Sequence, residues 1–389
     1  MSNPPDVPVY KRRDILEPVA ELGPLAARTP VYRNTGSEVY DWIAVGRDEV
    51  RAILGDTERF STRPPQENPD LPRPRPEPGN LLMYDLPEHT RLRQKLTPDF
   101  TVRRMRALEP AIERIVTGQL DVLEKAGRPA DLMKHFARPV SGLVGCAVLG
   151  IPRDDLPQLA RMTDIRAARR SPKRTAARKA FNAYMDRIVA QKRRDPGEDL
   201  LSTLIQRHGT GLTDQELAGI CSSVIAGELE NASEMLGLGA LALLLHPDQF
   251  GRLRERPELM ENAVEELLRY VSVVSVASPR TALEDVTIGD QVIKEGEVVG
   301  CSLFAAHRAT APGEPPDTLD ITREPGSHMA LGHGIHFCLG AALARMQLRI
   351  AYRGLLDRFP ALRLAVPPGE LRFRLLAPQH GIETLPVEW

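Results

Sequence analysis

The stretch LGHGIHFCLG, residues 331–340, holds the side chains of this chain that are best suited to chemistry. Cys338 lies where this glycine-rich turn meets an amphipathic run, residues 338–359, which predicts a helix. Free N–H groups and the positive dipole end at a helix N-terminus lower the pKa of a thiol and favour the thiolate. Gly332 and Gly334 would let the backbone approach a flat ligand closely. The role of Cys338 then depends on what surrounds it.

Four roles are open to Cys338 from the residues alone. A buried core thiol is the commonest fate of a lone cysteine. A zinc site with His333 and His336 lacks a fourth ligand and any paired CxxC spacing. A nucleophile would need a base and an orienting carboxylate. An axial thiolate on haem iron would need apolar walls and cations for two propionates.

Donors suited to two carboxylates are present in two other parts of the sequence and within the cysteine stretch itself. His89 and Arg93 are four residues apart, which places them on one face of a short helix predicted over 87–96. Arg280 follows Pro279 at the start of a predicted strand, and His336 lies two residues before Cys338. Four such donors facing two carboxylates are plausible chemistry, which favours the haem interpretation.

Glu266 and Arg269 form an i,i+3 pair on a predicted helix. An exposed pair of this kind would contribute little to stability. If Arg323 joins them, the three become a buried network that must be fully hydrogen-bonded to persist.

Most of the chain has helical periodicity, with long helices predicted over 105–127, 174–194 and 213–246. The last of these opens on Thr213 with Glu216 three residues later, which is the pattern of a capping box. It would be about 50 Å long at 1.5 Å per residue, and its apolar second half predicts burial.

Strand patterns are few, at 38–46 and in a hairpin over 285–299 that turns at Gly289 and Asp290. The proline-rich stretch 63–80 excludes regular helix and predicts a long functional loop inside one domain. We therefore expect a single domain over 1–389.

Composition excludes several partners. The chain has 51 basic and 52 acidic residues, a balance that calls for neither nucleic acid nor an anionic membrane surface. Its four cysteines are far apart, which favours a reducing cytoplasm, and no signal peptide or spanning helix is predicted. No glycine-rich dinucleotide fingerprint follows a strand, so electrons would have to come from separate proteins.

Taken together, these motifs resemble the cytochrome P450 superfamily. The haem loop of that family is Phe-Gly-x-Gly-x-His-x-Cys-x-Gly, and here only its first position differs, with Leu331 in place of phenylalanine. The resemblance implies a mainly α fold, a triangular prism with a small β lobe, and haem b ligated by Cys338. It also implies a monomer that receives electrons from a ferredoxin and a ferredoxin reductase.

The resemblance further assigns roles to individual residues. Glu266, Arg269 and Arg323 match the structural triad of the family. The residues that match its haem contacts are His89, Arg93, Arg280, His336, Gly332 and Gly340, with His328 as an addition.

The family's oxygen-activation motif, Ala/Gly-Gly-x-Asp/Glu-Thr, aligns with GELEN at residues 227–231. Glu228 replaces the second glycine, Glu230 keeps the acid, and Asn231 replaces the threonine. Alternatively, Glu228 and Asn231 are merely surface residues of the helix. An amide donates a hydrogen bond but does not readily pass a proton on, so we expect Glu230 and ordered water to carry the proton relay.

Within the superfamily the chain is most similar to the Oxy enzymes of vancomycin- and teicoplanin-type glycopeptide biosynthesis. That resemblance implies oxidative phenol coupling, as an aryl ether or a biaryl, in a peptide bound to a carrier protein. It assigns substrate contacts to Val274, Ser275 and Val276. It assigns docking of the recruiting X-domain to a Pro-Arg-Asp-Asp motif, which comprises Pro152, Arg153, Asp154 and Asp155. An equal alternative is that these residues only start and cap a helix.

Two other functions remain open from the sequence. One is hydroxylation of a carrier-bound amino acid or another natural-product intermediate. The other is a non-catalytic haem protein that recruits partners.

Overall fold

The computed structural model describes residues 7–35, 39–66, 76–167, 173–308, 318–324, 326–374 and 379–389. The predicted loop at 63–80 and the predicted strand at 38–46 lie partly outside these residues, so only their described parts are considered below.

Helices make up most of the described chain. They are α1 Leu22–Arg28, α2 Arg47–Gly55, α3 Glu88–Leu96, α4 Val102–Arg106, α5 Glu109–Lys125, α6 Arg138–Leu149, α7 Leu156–Ala167, α8 Arg174–Arg194, α9 Leu200–His208, α10 Asp214–Ala226, α11 Ser233–Leu245, α12 Pro247–Glu255, α13 Met260–Val271, α14 Leu303–Arg308 and α15 Ala341–Arg358.

The strands are short. They are β1 Arg13–Asp14, β2 Glu17–Pro18, β3 Val31–Arg33, β4 Trp42–Ala44, β5 Phe60–Ser61, β6 Ala130–Asp131, β7 Arg280–Ala282, β8 Val286–Ile288, β9 Gln291–Ile293, β10 Val298–Cys301, β11 Arg363–Leu364 and β12 Pro386–Glu388.

Five strands form the main sheet, in the order β3-β4-β10-β7-β5, and three form a smaller one, β11-β12-β6. Strands β8 and β9 form the hairpin that the sequence predicts, with Ile288 opposite Gln291 and therefore Gly289 and Asp290 at the turn. A large apolar core lies among the helices, and two smaller clusters involve the main sheet. The predicted mainly α fold with a small β lobe is confirmed.

The long helix predicted over 213–246 is present as α10, a π-helical segment Gly227–Ala232, and α11. Its capping box is formed, with the Thr213 hydroxyl accepting from the Glu216 N–H at 3.1 Å and Glu216 accepting from the Thr213 N–H at 2.9 Å. The π segment was not predicted. Such widened turns occur often at functional sites, and this one coincides with the GELEN motif.

The other helix predictions agree with the structure within a few residues. Residues 174–194 form α8 as expected, whereas residues 105–127 divide into α4 and α5. The helix expected to begin at Cys338 begins at Ala341 instead. In the described parts of the chain, no helix is both long and apolar enough to cross a membrane.

Candidate functional site

The cysteine loop holds Cys338 in place through its backbone. Gly332 and Gly334 have φ values of 81° and 70°, which favour glycine. A Cβ at Gly334 would also stand 2.5 Å from the carbonyl oxygen of Leu54. The loop closes through a 2.7 Å hydrogen bond from the Cys338 N–H to the Leu331 carbonyl. Glycine at these two positions therefore determines where the thiol lies.

The surroundings of Cys338 raise the pKa of its thiol, chiefly through desolvation. The N–H of Gly340 and the charge of Arg93 act in the opposite direction. The expectation that a helix N-terminus would lower this pKa is therefore wrong in its net direction. The physical reason is that α15 begins three residues later, so its dipole end is farther from the sulfur than the sequence suggested, and desolvation dominates.

Arg93 and the two histidines from the predicted propionate set meet around the same loop. Nη1 of Arg93 donates to the carbonyl oxygens of Phe337, at 2.6 Å, and Ile335, at 3.3 Å. The rings of His89 and His336 lie 4.7 Å apart. Nε2 of His89 and Nδ1 of His336 are buried and have no hydrogen-bond partner among the described residues. Buried polar atoms of this kind require a partner, so the cluster is incomplete without one.

Arg280 completes this set. Its side chain is buried, and it donates to the carbonyl oxygens of Ser278, at 2.9 Å, and Pro279, at 3.2 Å. Burial, followed by the charge of Arg280, lowers the pKa of His336 to about 3. Two carboxylates would satisfy the unpartnered nitrogens and offset the buried charges. The site therefore fits a haem, with Cys338 beside Arg93.

The zinc alternative is not supported. No group of three or more His, Cys, Asp or Glu side chains in the described part of the chain is arranged to hold a metal ion.

The structure does not bring His328 into the propionate group. Its Nε2 lies 3.0 Å from a carboxylate oxygen of Glu265, and its Nδ1 accepts from the Ala330 N–H at 3.3 Å. Glu265 is also held by Arg345, at 2.6 and 2.8 Å. His328 is therefore engaged elsewhere, and the prediction of a haem contact for it is wrong because both ring nitrogens already have protein partners.

Glu266, Arg269 and Arg323 come together as the sequence predicts. Arg269 donates to both carboxylate oxygens of Glu266, at 2.7 and 2.8 Å, and Arg323 approaches one of them at 3.4 Å. The N–H of Asp320 adds a third donor at 3.0 Å. Glu266 is only 3% exposed, so the network is buried and hydrogen-bonded.

Within the π segment, Glu228 is directed into the protein interior. It is 7% exposed, and its Oε2 accepts from Nε2 of Gln347 on α15 at 3.0 Å. The absence of a side chain at Gly145 on α6 makes room for it, since a Cβ there would stand 3.2 Å from Cγ of Glu228. Burial raises the pKa of Glu228 to about 7. The alternative that Glu228 is a surface residue of the helix is therefore wrong.

Glu230 and Asn231 are half-buried on the same segment. Nε2 of Gln379 donates to Oε2 of Glu230 at 3.4 Å. Oδ1 of Asn231 is buried and accepts no hydrogen bond from the described residues. An acceptor of this kind can order water next to the carboxylate of Glu230.

The three predicted substrate contacts do not share one environment. Val274 and Val276 are half-buried and form single strand-type bridges, to Gln379 and Ser302 respectively. Ser275 is 4% exposed, and its Oγ accepts from Nη2 of Arg13 at 3.0 Å. The prediction of substrate contact is therefore wrong for the Ser275 side chain, because alternation along an extended segment directs it away from the two valines.

The four residues of the Pro-Arg-Asp-Asp motif also differ in their surroundings. Pro152, Arg153 and Asp154 are exposed at the start of α7. Asp155 instead accepts a 2.7 Å hydrogen bond from the Tyr184 hydroxyl on α8. The first three side chains are available to a partner, whereas Asp155 has a structural contact.

Some residues at this site were missed by sequence reasoning. Gln347 and Gln379 contact the π segment, and Glu234 on α11 pairs with Arg374 and accepts from the Ile382 N–H at 2.9 Å. The only local signal for any of them is a charged residue, Glu234, at the start of an otherwise apolar helix.

Comparison with known proteins agrees with this geometry. The family model described as Cytochrome P450 matches residues 168–370. The curated protein Cytochrome P450 165B3 from Amycolatopsis orientalis is 42% identical over 398 aligned residues, which cover all of both chains.

Two solved structures are similar along nearly the whole chain. The complex of the X-domain and OxyB from teicoplanin biosynthesis has a TM-score of 0.88 and 46% identity, and covers 98% of this chain and 100% of that one. OxyC, a cytochrome P450 implicated in an oxidative C–C coupling reaction during vancomycin biosynthesis, has a TM-score of 0.89 and 43% identity. The match covers 98% of this chain and 97% of OxyC.

Proposed function

The chain belongs to the cytochrome P450 family, whose members are oxidoreductases with a haem-thiolate iron cofactor, and we propose that it joins phenolic rings of a carrier-bound peptide. The likeness to OxyB and OxyC along 98% of the chain is the observation that carries this proposal. The product would be a glycopeptide-antibiotic precursor with an aryl ether or biaryl cross-link.

We propose that Cys338 provides the sulfur ligand of the haem and that the four clustered cations and imidazoles hold its propionates; these are His89, Arg93, Arg280 and His336. When bound, the haem supplies oxidation of the substrate with O2 as the oxidant. The unpartnered nitrogens of His89 and His336 support this assignment, since each needs an acceptor.

On the substrate side, Glu230 would hold the proton that the reaction consumes, and Asn231 would order the water that carries it. Each cross-link takes one hydrogen atom from each of two rings. These two hydrogens, two electrons from a ferredoxin and its reductase, and two protons from solvent together convert one O2 into two molecules of water. No oxygen atom enters the product.

The exposed residues Pro152, Arg153 and Asp154 would form part of the surface that meets an X-domain. OxyB, whose structure is similar to that of this chain, has been solved in complex with such a domain. Exposure of these three side chains supports the assignment. The contact between Asp155 and Tyr184 would fix the backbone that carries them against α8.

The test is to incubate the holoenzyme, ferredoxin and reductase with a carrier-bound linear heptapeptide, with and without an X-domain, and to weigh the released peptide. Cross-linking is expected to reduce the mass by two hydrogens for each bond formed. A gain of one oxygen would instead identify a hydroxylase. No change in mass would favour a haem protein that recruits partners without catalysis.

The haem assignment has its own check. The ferrous–CO spectrum should show the red-shifted band of thiolate ligation, and Cys338→Ser should abolish it. Persistence of that band in the variant would exclude Cys338 as the ligand.

A further inference from the structure

Arg13, in the short strand β1, reaches across the fold to the C-terminus of α13. Its guanidinium donates to the carbonyl oxygens of Val271 and Ser272, the latter at 2.9 Å, and to Oγ of Ser275 at 3.0 Å. One side chain therefore binds three oxygen atoms of residues 271–275, although Arg13 is 262 residues away from Ser275 in sequence.

The guanidinium is itself held firmly. It lies over the ring of Phe304, 3.6 Å from the centroid, and Arg13 is only 4% exposed. Burial lowers the pKa of Arg13, but a guanidinium remains charged in proteins. A buried cation is costly unless it is hydrogen-bonded, and here it also complements the negative dipole end of α13.

Within residues 271–275, Ser272 is conformationally unusual. Ser272 has a φ of 44°, in the left-handed region that non-glycine residues seldom adopt. Such a conformation persists only where the surroundings over-determine it. The contact from Arg13 to the Ser272 carbonyl is one such constraint, and the Ser272 hydroxyl, 2.6 Å from Nδ1 of His307, is another.

Beyond Ser272 the chain alternates between its two sides. Val273 and Ser275 are buried, whereas Val274 and Val276 are half-buried. Val274 bridges to Gln379, whose side chain contacts Glu230 on the π segment. The backbone at Val274 is therefore linked through Gln379 to the proposed reaction site, whereas Val276 packs against the cluster that contains Phe304.

We propose that Arg13 is a positioning residue that sets the shape of the substrate cavity by fixing the backbone of residues 272–275. The inference rests on the proposed function in one respect, namely that Val274 lines the haem cavity. Arg13 does not itself touch the substrate, so its loss should change the fit of a bulky ligand and leave access to the iron unchanged.

The experiment compares two azole probes that bind haem iron, imidazole and 4-phenylimidazole, by titrating the Soret shift of the holoenzyme. The second probe carries a phenyl ring that needs room beside the iron, whereas imidazole needs little. Arg13→Met should weaken the binding of 4-phenylimidazole by about tenfold relative to that of imidazole, since three hydrogen bonds to residues 271–275 are lost. Ser275→Ala, which removes a single contact of Arg13, should weaken it by about threefold.

Arg12→Met is the matched control, because Arg12 precedes Arg13 and lies 3.9 Å from the exposed carboxylate of Glu21. It should leave the ratio of the two affinities unchanged. If Arg13→Met binds haem and keeps the wild-type ratio, the inference is overturned. If Arg13→Met does not fold, Ser275→Ala decides, and an unchanged ratio in that variant likewise overturns it. Failure of the wild type to bind either probe would instead contradict the haem assignment.

Discussion

Glu228 and Gln347 form a buried pair between the π segment of the long helix and α15. Nε2 of Gln347 donates to Oε2 of Glu228 at 3.0 Å, while Oε1 of Gln347 is buried without a partner among the described residues. A protonated carboxyl has an O–H that can donate to that oxygen, whereas a carboxylate cannot. The bond from Gln347 favours the carboxylate, but burial outweighs it and raises the pKa of Glu228 to about 7.

Glu228→Gln should stabilise the protein at alkaline pH. Between about pH 4.5, the ordinary value for glutamate, and pH 7 the folded state binds more protons at this site than the unfolded state, so wild-type stability falls as pH rises. Above pH 7 Glu228 is ionised in the folded protein, and the full free-energy cost of burying its charge is present. The variant should therefore exceed the wild type by about 1–3 kcal/mol at pH 8 and differ little from it at pH 4. Thermal unfolding of the holoenzyme across this range measures the difference.

Glu383→Gln provides the control, because it makes the same substitution at an exposed position. A Glu228→Gln profile parallel to that of the wild type between pH 4.5 and 7 would show that Glu228 does not titrate there.

Glu266→Gln should destabilise the fold by about 3–5 kcal/mol, the usual cost of removing one partner from a buried ion pair. Arg269 would lose its charged partner while remaining largely buried, and Arg323 would lose its contact as well. Arg269→Lys keeps the charge but not the two parallel hydrogen bonds, and should cost less. Urea unfolding ranks the variants, and equal midpoints for Glu266→Gln and wild type would contradict the network's structural role.

Asn231→Thr and Glu230→Gln should change the coupling of electron use to product. A hydroxyl at position 231 can pass a proton on, so more product should form for each NADPH consumed, whereas an amide at position 230 cannot release one. Product and hydrogen peroxide are measured together. If neither substitution alters the ratio of product to NADPH, Glu230 is not the relay acid.

Arg280→Met and His336→Phe should each speed the loss of haem from the holoenzyme by about tenfold, since each would remove one of the hydrogen bonds proposed to hold a propionate. Transfer of haem to an excess of an acceptor apoprotein gives the rate. His328→Phe is the control, because His328 contacts Glu265 and not the propionate group. Faster haem loss from the His328 variant than from the other two would contradict this arrangement.

The sequence predicted the parts of the site that depend on local spacing. The glycines around Cys338 and the four-residue separation of His89 and Arg93 are set by turn and helix geometry. The capping box at Thr213 was predictable for the same reason, since its two bonds join residues three apart.

Contacts between distant segments were not predictable from these patterns. The direction of Glu228 depends on the π-helical widening of one turn, which packing against α6 and α15 determines. The contact between Arg13 and Ser275 joins strand β1 to a segment late in the chain. The pKa of Cys338 was predicted in the wrong direction because desolvation is a property of the folded surroundings and not of the motif.

Substitutions in the Pro-Arg-Asp-Asp motif should separate docking from folding. Asp154→Ala and Arg153→Ala change only exposed side chains. The free energy of unfolding should therefore stay within about 0.5 kcal/mol of wild type, while the Kd for an X-domain rises. Asp155→Ala removes the acceptor of the Tyr184 hydroxyl and should cost about 1–3 kcal/mol. Tyr184→Phe is the matched variant, because it deletes the donor of the same bond and should destabilise without affecting exposed residues. Calorimetry with a purified X-domain measures the affinities, and an unchanged Kd for both Arg153→Ala and Asp154→Ala would place the docking surface elsewhere.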